Sequence, residues 1–185
     1  MGANGANALY FLVTTLFDLV IWIFALRLLL QAARADFYNP ISQFIWQFTR
    51  FPTDTLSRLL PAYRNINLGV GLTLALLGMV YVYAVAALLG LQVGLLAALW
   101  YGALKLLVMA LGLYTFTLFV QAVMSWLGPG VHNPAANILW SLNEPLLRPV
   151  RRVLPPMGGL DLSPLVVILA LQVLSRLVPL PGVFR

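Results

Sequence analysis

Four apolar runs constrain this chain more than anything else in it: about Ala8–Ala33, Leu68–Leu89, Gly102–Leu127 and Pro164–Leu180. Crossing the hydrocarbon core of a bilayer takes about 20 apolar residues at about 1.5 Å of rise each. A soluble domain carries roughly a quarter charged residues, whereas this chain has 9% charged and 62% hydrophobic residues. Such a composition cannot keep a wetted surface. The expected class is an all-α membrane protein of about four transmembrane helices. Met1 to Leu12 lacks a basic n-region and a small-residue cleavage site, so the first run is expected to be a retained helix rather than a signal peptide.

The stretch between the second and third runs is apolar from Leu91 to Leu127, too long for one span. A break near Gly90 and Gly94 leaves a short connector ending at Trp100 and Tyr101, aromatics that favour the headgroup level. Gly90 and Gly94 also form a small-xxx-small pattern, a weak signal for a helix contact.

The loops after the first and third runs resemble each other. Shifting the sequence by 94 positions, the separation of Asn39 from Asn133, superposes Pro40 on Pro134, Trp46 on Trp140, Arg58 on Arg152 and Pro61 on Pro155 without a gap. The chain is therefore read as an internal repeat, with a first unit 8–90, a connector 91–101 and a second unit 102–181. Each unit contributes two spans, so the copies lie parallel. Seven of the eleven cations (Arg34, Arg50, Arg58, Arg64, Arg148, Arg151, Arg152) fall in the two loops and none in Gly90–Tyr101. By the positive-inside rule these elbow loops are expected to be cytoplasmic, with both termini on the opposite side.

Asn39 and Asn133 read as N-caps, with Pro40 and Pro134 at the first helical position. Ile41, Phe44, Ile45 and Phe48 then make an apolar seam, and Leu139, Leu142 and Leu146 another. These short amphipathic helices lie in the interface plane, or pack on the end of the bundle. The tripeptide Asn133-Pro134-Ala135 brings aquaporins to mind, but opposed half-helices need antiparallel copies. Pro145, Pro149, Pro155 and Pro156 are expected to break the second elbow into rigid bends, and Gly158-Gly159 loosens the backbone before the fourth run. Ser163-Pro164 reads as an N-cap and first helical residue.

Arg148, Arg151 and Arg152, with Arg58 in the first copy, make a basic surface that would attract anionic lipid headgroups or an acidic partner. The alternative is that these cations only fix topology. Asp161 either caps the fourth helix or pairs with Arg151 or Arg152. Within the spans stand Asp18, Arg27, Lys105 and Arg176. Arg27, Lys105 and Arg176 are expected to snorkel to the nearest face. Mid-span Asp18 needs a partner on another span or subunit, or a proton; it is also the best candidate for an ion- or proton-linked role. Gln121 superposes on Arg27 at the repeat offset, so that face is polar in both copies.

No cysteine is present and His132 is the sole histidine, so no metal site and no cofactor is expected. The net charge of +6 has no basic stripe with interleaved aromatics to hold a nucleic acid. Neither a nucleophile–base pair nor a cofactor motif is present, and an enzyme is not expected.

The opening DFYNPISQF and the stretch EPLLRPVRRVLPPMGGLDLSP resemble the YggT family of small membrane proteins, together with the related YlmG-type proteins of Gram-positive bacteria and chloroplasts. The likeness covers nearly the whole chain. The family pattern falls on Asn133, Pro134, Pro145, Pro149, Arg151, Arg152, Pro155, Gly159 and Asp161, and in the first copy on Asn39, Pro40, Pro52, Arg58 and Pro61. Thr55, Leu56 and Asn67 depart from it. The resemblance implies a multi-pass protein of the bacterial inner membrane linked with osmotic or salt tolerance and ion homeostasis. Shorter relatives are linked with cell division, nucleoid organisation and plastid cytochrome assembly. The expected function is a non-enzymatic one, working through the basic elbows on anionic lipid, a membrane-protein partner or a second copy. The alternative is a component of a K⁺, Na⁺ or H⁺ channel or transporter that uses Asp18.

Overall fold

The computed structural model describes residues 3–36, 38–58, 67–126, 134–154 and 161–185. Among them the regular elements are helices: α1 Ala3–Ala32, α2 Pro40–Ser57, α3 Leu68–Leu89, α4 Leu95–Trp126, α5 Pro134–Val153, α6 Ser163–Leu177, and a 3-10 turn at Gly182–Phe184. Three of them, α1, α3 and α4, are long and apolar enough to cross a bilayer. The fourth, α6, has 15 residues and reaches only about 22 Å at about 1.5 Å per residue, against a hydrocarbon core of about 30 Å. Pro179 and Pro181 follow it closely and stop it short of the expected end at Leu180.

The 94-residue offset is visible in the helices themselves. α1 ends at Ala32 and α4 at Trp126; α2 begins at Pro40 and α5 at Pro134. α4 packs against α1, α3, α5 and α6. Its start corrects one expectation: residues 95–101 belong to the helix rather than to the connector, because Leu95 to Tyr101 are good helix formers with no proline among them. What remains between α3 and α4 is Gly90–Gly94, with Gly90 as a left-handed C-cap at φ +67°. A Cβ at Gly90 or Gly94 would meet nothing within 4 Å, so this pair makes no helix contact. The close crossing lies elsewhere, where Gly78 of α3 meets Gly102 of α4 backbone to backbone.

One core joins Ile21 and Phe24 of α1 to Val70, Tyr81, Val82 and Val85 of α3 and to Leu104 and Leu113 of α4, and Leu180 and Phe184 close it. A smaller one joins Leu118, Leu147, Val167 and Leu171. Outward faces stay apolar: Leu12, Leu16, Phe116, Phe119, Leu165 and Leu169 are all exposed. An apolar exterior of this kind is compatible with a lipid surface.

The Tyr10 hydroxyl donates to Val183 O (2.8 Å) and the Tyr101 ring stacks on Phe184. The first turns of α1, the first turns of α4 and the last turn therefore share one end of the bundle. At the other end Asn39 Nδ2 donates to Pro134 O (2.6 Å), which ties the two elbows together.

Candidate functional site

Asp18 sits at mid-helix in α1, and its partner is on another span, as one of the sequence alternatives had it. Lys105 Nζ of α4 lies 2.8 Å from Asp18 Oδ1, a charge contact without hydrogen-bond alignment. The ammonium also donates to Arg185 O (3.1 Å) and stands 4.4 Å from the centre of the Tyr81 ring. Lys105 was expected to snorkel; instead its side chain is 1% exposed. The reason is the earlier start of α4, which places Lys105 ten positions beyond Leu95 rather than at a span end.

Arg27 does not snorkel either. It is 4% exposed, and its Nη1 donates to Thr49 Oγ1 and to Thr53 Oγ1 of α2, both at 2.8 Å. The second copy repeats the arrangement without charge. Gln121 Oε1 accepts from Asn143 Nδ2 of α5 (2.8 Å), whose Oδ1 accepts from Thr117 Oγ1 (2.9 Å). Thr49 and Asn143 are themselves 94 apart, so the same pair of helix positions makes the polar contact in both units. Sequence reasoning singled out Arg27 and Gln121 but missed Thr49, Thr53 and Asn143; applying the repeat offset to the elbow helices would have found the Thr49–Asn143 match.

These threonines explain how α2 lies. Its buried residues are Ser42, Ile45, Thr49 and Thr53, while Phe44, Phe48 and Phe51 are exposed. The phenylalanine seam thus faces away from the bundle and the polar stripe faces in. In α5 the buried line is Ile138, Leu142, Asn143 and Leu147 rather than Leu139, Leu142 and Leu146. Asn39 caps α2 by accepting from Ile41 N (3.0 Å), with Pro40 next to it, and Pro134 opens α5.

Pro145 and Pro149 do not break the second elbow: α5 runs through both, as α2 runs through Pro52. All three prolines are exposed. The carbonyls they deprive of a donor lie on the outer side of each helix, where water or headgroups can satisfy them, which lowers the usual cost of an internal proline.

The bend after α5 is held by Arg151. Its Nε and Nη2 reach Asp161 Oδ2, each at 2.9 Å, its Nη1 reaches Glu144 Oε2 at 2.9 Å, and its guanidinium lies over the Trp140 ring. Asp161 Oδ1 accepts from Ser163 N (2.9 Å). Asp161 therefore both caps α6 and pairs with Arg151, not Arg152. Ser163 is the first helical residue rather than the N-cap, a place taken by Leu162. The first copy builds the same latch from neutral groups at the same offset: Ser57 Oγ donates to Asn67 Oδ1 (2.8 Å), which also accepts from Gly69 N. The departure at Asn67 thus changes the charge of the elbow and preserves its geometry. Arg151 is occupied by this latch, whereas Arg58, Arg148 and Arg152 are exposed and pair with no carboxylate among the described residues. Arg176 is exposed, as expected. Pro61, Arg64, His132, Asn133, Pro155, Pro156, Gly158 and Gly159 lie outside the described residues.

Partial burial pushes the Asp161 carboxyl up, but the Ser163 backbone N–H, the Ser163 hydroxyl and the Arg151 guanidinium together hold it below the ordinary value of 3.8. A depressed carboxylate contributes stability that is present above that ordinary value and lost as pH falls through the lower folded one. Detergent-solubilised protein should therefore lose thermal stability below about pH 4. In the Asp161→Asn variant this acid-sensitive component should be missing. An unchanged acid profile would show that the latch carries no linkage.

A family model described as CCB3/YggT matches residues 6–89 and 100–181. A Vibrio alginolyticus protein described as uncharacterized, in the proC 3' region, is 39% identical over 176 residues, covering 90% of each chain. The uncharacterized protein PA0392 of Pseudomonas aeruginosa is 37% identical over 180 residues, 96% of this chain and 90% of that one. The uncharacterized protein YggT of Escherichia coli K12 is 38% identical over 170 residues, 91% of this chain and 88% of its own. No solved structure matches.

Proposed function

Because the chain belongs to the CCB3/YggT family, we propose that it is a non-enzymatic multi-pass protein of the bacterial cytoplasmic membrane whose working surface is the elbow end. In this reading the units 8–90 and 102–181 lie parallel, α6 with the residues to Leu180 completes a fourth span, the elbows are cytoplasmic and both termini are outside. The surface engages anionic lipid headgroups, or an acidic partner, and supports osmotic or salt tolerance.

The observation that carries the reading is the difference among the elbow arginines. Arg151 is consumed by Asp161 and Glu144, while Arg58, Arg148 and Arg152 are exposed on the elbow elements with no carboxylate paired to them among the described residues. Beside them Phe44, Phe48 and Phe51 are exposed on α2. Apolar side chains next to unpaired cations suit the boundary between acyl chains and anionic headgroups. An ion path through Asp18 is the weaker alternative, since that carboxylate is tied to Lys105 and would have to give up its partner to exchange an ion.

The test is the triple variant Arg58→Gln, Arg148→Gln, Arg152→Gln in nanodiscs of mixed phosphatidylcholine and phosphatidylglycerol. At about 1 kcal/mol per cation, preference for phosphatidylglycerol should fall by roughly two orders of magnitude, with salt survival of cells falling alongside. Unchanged lipid preference with loss of a co-purifying protein would move the surface from lipid to partner. If lipid preference, co-purification and survival were all unaltered, the cluster would be a topology signal and the proposal would fail.

A further inference from the structure

Where the last turns of α1 meet the first turns of α2, a cavity of about 60 Å³ is lined by Arg27, Leu30, Gln31, Ala35, Ser42, Ile45 and Trp46. Two of its polar atoms, Arg27 Nε and Ser42 Oγ, are buried and make no hydrogen bond within the protein. Their residues are 4% and 8% exposed. Leaving such groups unsatisfied is costly, and for a charge more so.

The charge balance sharpens the point. Among the described residues two cations are buried in the helices, and Lys105 has Asp18. Arg27 has the hydroxyls of Thr49 and Thr53 and feels the charge of Asp54 on the same helix as these threonines, but among the described residues no carboxylate forms an ion pair with it. Buried cations are usually paired at close range, and Asp54 is not within ion-pair distance, so the unsatisfied Arg27 Nε has room for a negative group from outside the chain. The cavity offers donors: Arg27 Nε–H, the Ser42 hydroxyl, and the Gln31 amide, whose Oε1 is already taken by Asn67 N. Ser42 also lies in the first turn of an 18-residue helix, the end that favours anions. A cluster of donors around a guanidinium suits the several acceptor oxygens of an oxyanion.

We propose that this cavity is a phosphate-binding site in the first unit, its ligand being a phosphate group that forms hydrogen bonds with Arg27 Nε and Ser42 Oγ. In the second unit the uncharged Gln121 stands in place of Arg27 and is bonded to Asn143. The same chemistry is available from an anionic phospholipid headgroup and from free inorganic phosphate. The site is distinct from the exposed elbow arginines and does not rest on the function proposed for them.

Arg27→Gln is the decisive variant, because Gln121 already fills the equivalent place against Asn143 and a glutamine can still donate to Thr49 or Thr53. Delipidated protein in neutral detergent is titrated with inorganic phosphate by calorimetry, and separately with phosphatidylglycerol in mixed micelles by native mass spectrometry. The wild type should bind one phosphate-bearing species per chain. Arg27→Gln should weaken it by at least roughly tenfold, the ratio expected for one charge-assisted hydrogen bond. Ser42→Ala should weaken it by a few fold. Binding of the lipid but not the free ion identifies a headgroup site; the reverse identifies a soluble oxyanion. The proposal is overturned if the wild type binds neither, which leaves water as the occupant, or if both single variants bind as tightly as the wild type.

Discussion

Asp18→Ala is expected to destabilise the protein by up to about 3–5 kcal/mol, the upper range for removing one partner of a buried ion pair, since Lys105 is buried although Asp18 is 34% exposed. The size comes from what is left behind. Lys105, 1% exposed, would lose its side-chain carboxylate and keep Arg185 O and the face of the Tyr81 ring. Replacing both members, Asp18→Leu with Lys105→Met, should recover most of the loss, because an apolar pair of similar volume avoids desolvating two ions. Unfolding in mixed detergent micelles across the four-membered cycle gives the coupling energy directly. A double-variant loss equal to the sum of the two single losses would mean that Asp18 and Lys105 do not act as a pair, and would reopen a separate role for Asp18. Asp18→Asn should fall between, since an amide still offers Lys105 an acceptor oxygen.

What was legible in the sequence was local or repeated. The second span, the cap at Asn39 and the first helical prolines follow from apolar length and capping chemistry, which need no tertiary context. The match between the two elbows is a property of the string itself. The misreadings share a cause: each depended on a neighbour that the string does not show. The start of α4 was put at Gly102 because aromatics marked a plausible headgroup level; moving it to Leu95 buries Lys105 and gives it to Asp18. Pro145 and Pro149 were read as breaks because an isolated internal proline is costly, yet both lie on the exposed face of a helix whose other side is anchored by Leu142, Asn143 and Leu147. The phenylalanine seam of α2 was the apolar face by periodicity. In the structure the threonine stripe faces inward against Arg27 and the phenylalanines face out, which matches the outward one of the two orientations the sequence allows. Polar residues recurring at Ser42, Thr49 and Thr53 carried that signal, and only the presence of a cation in α1 gives it meaning.

Gly102→Leu should be comparably damaging, at more than about 3 kcal/mol, since overpacking by a single small group already costs about 1–3 kcal/mol. A Cβ on Gly102 would stand 2.9 Å from Gly78 C and 3.0 Å from Met79 N, and one on Gly78 would stand 3.0 Å from Gly102 O. Every near atom is backbone, so no side chain can swing aside, and α3 and α4 must separate along their length. The displacement reaches the ion pair as well. Lys105 follows Gly102 by three residues on α4, and Tyr81 follows Gly78 by three on α3, so the turn that carries the crossing also sets the ammonium against its ring and its carboxylate. Gly112→Ala is the matched control: it lies in the same helix, with nothing within 4 Å of its Cβ. There the gain in helix propensity, up to about 1 kcal/mol, should show as a neutral or stabilising change. If Gly102→Ala proved as stable as Gly112→Ala in the same micelle assay, the backbone crossing would not be what holds α3 to α4.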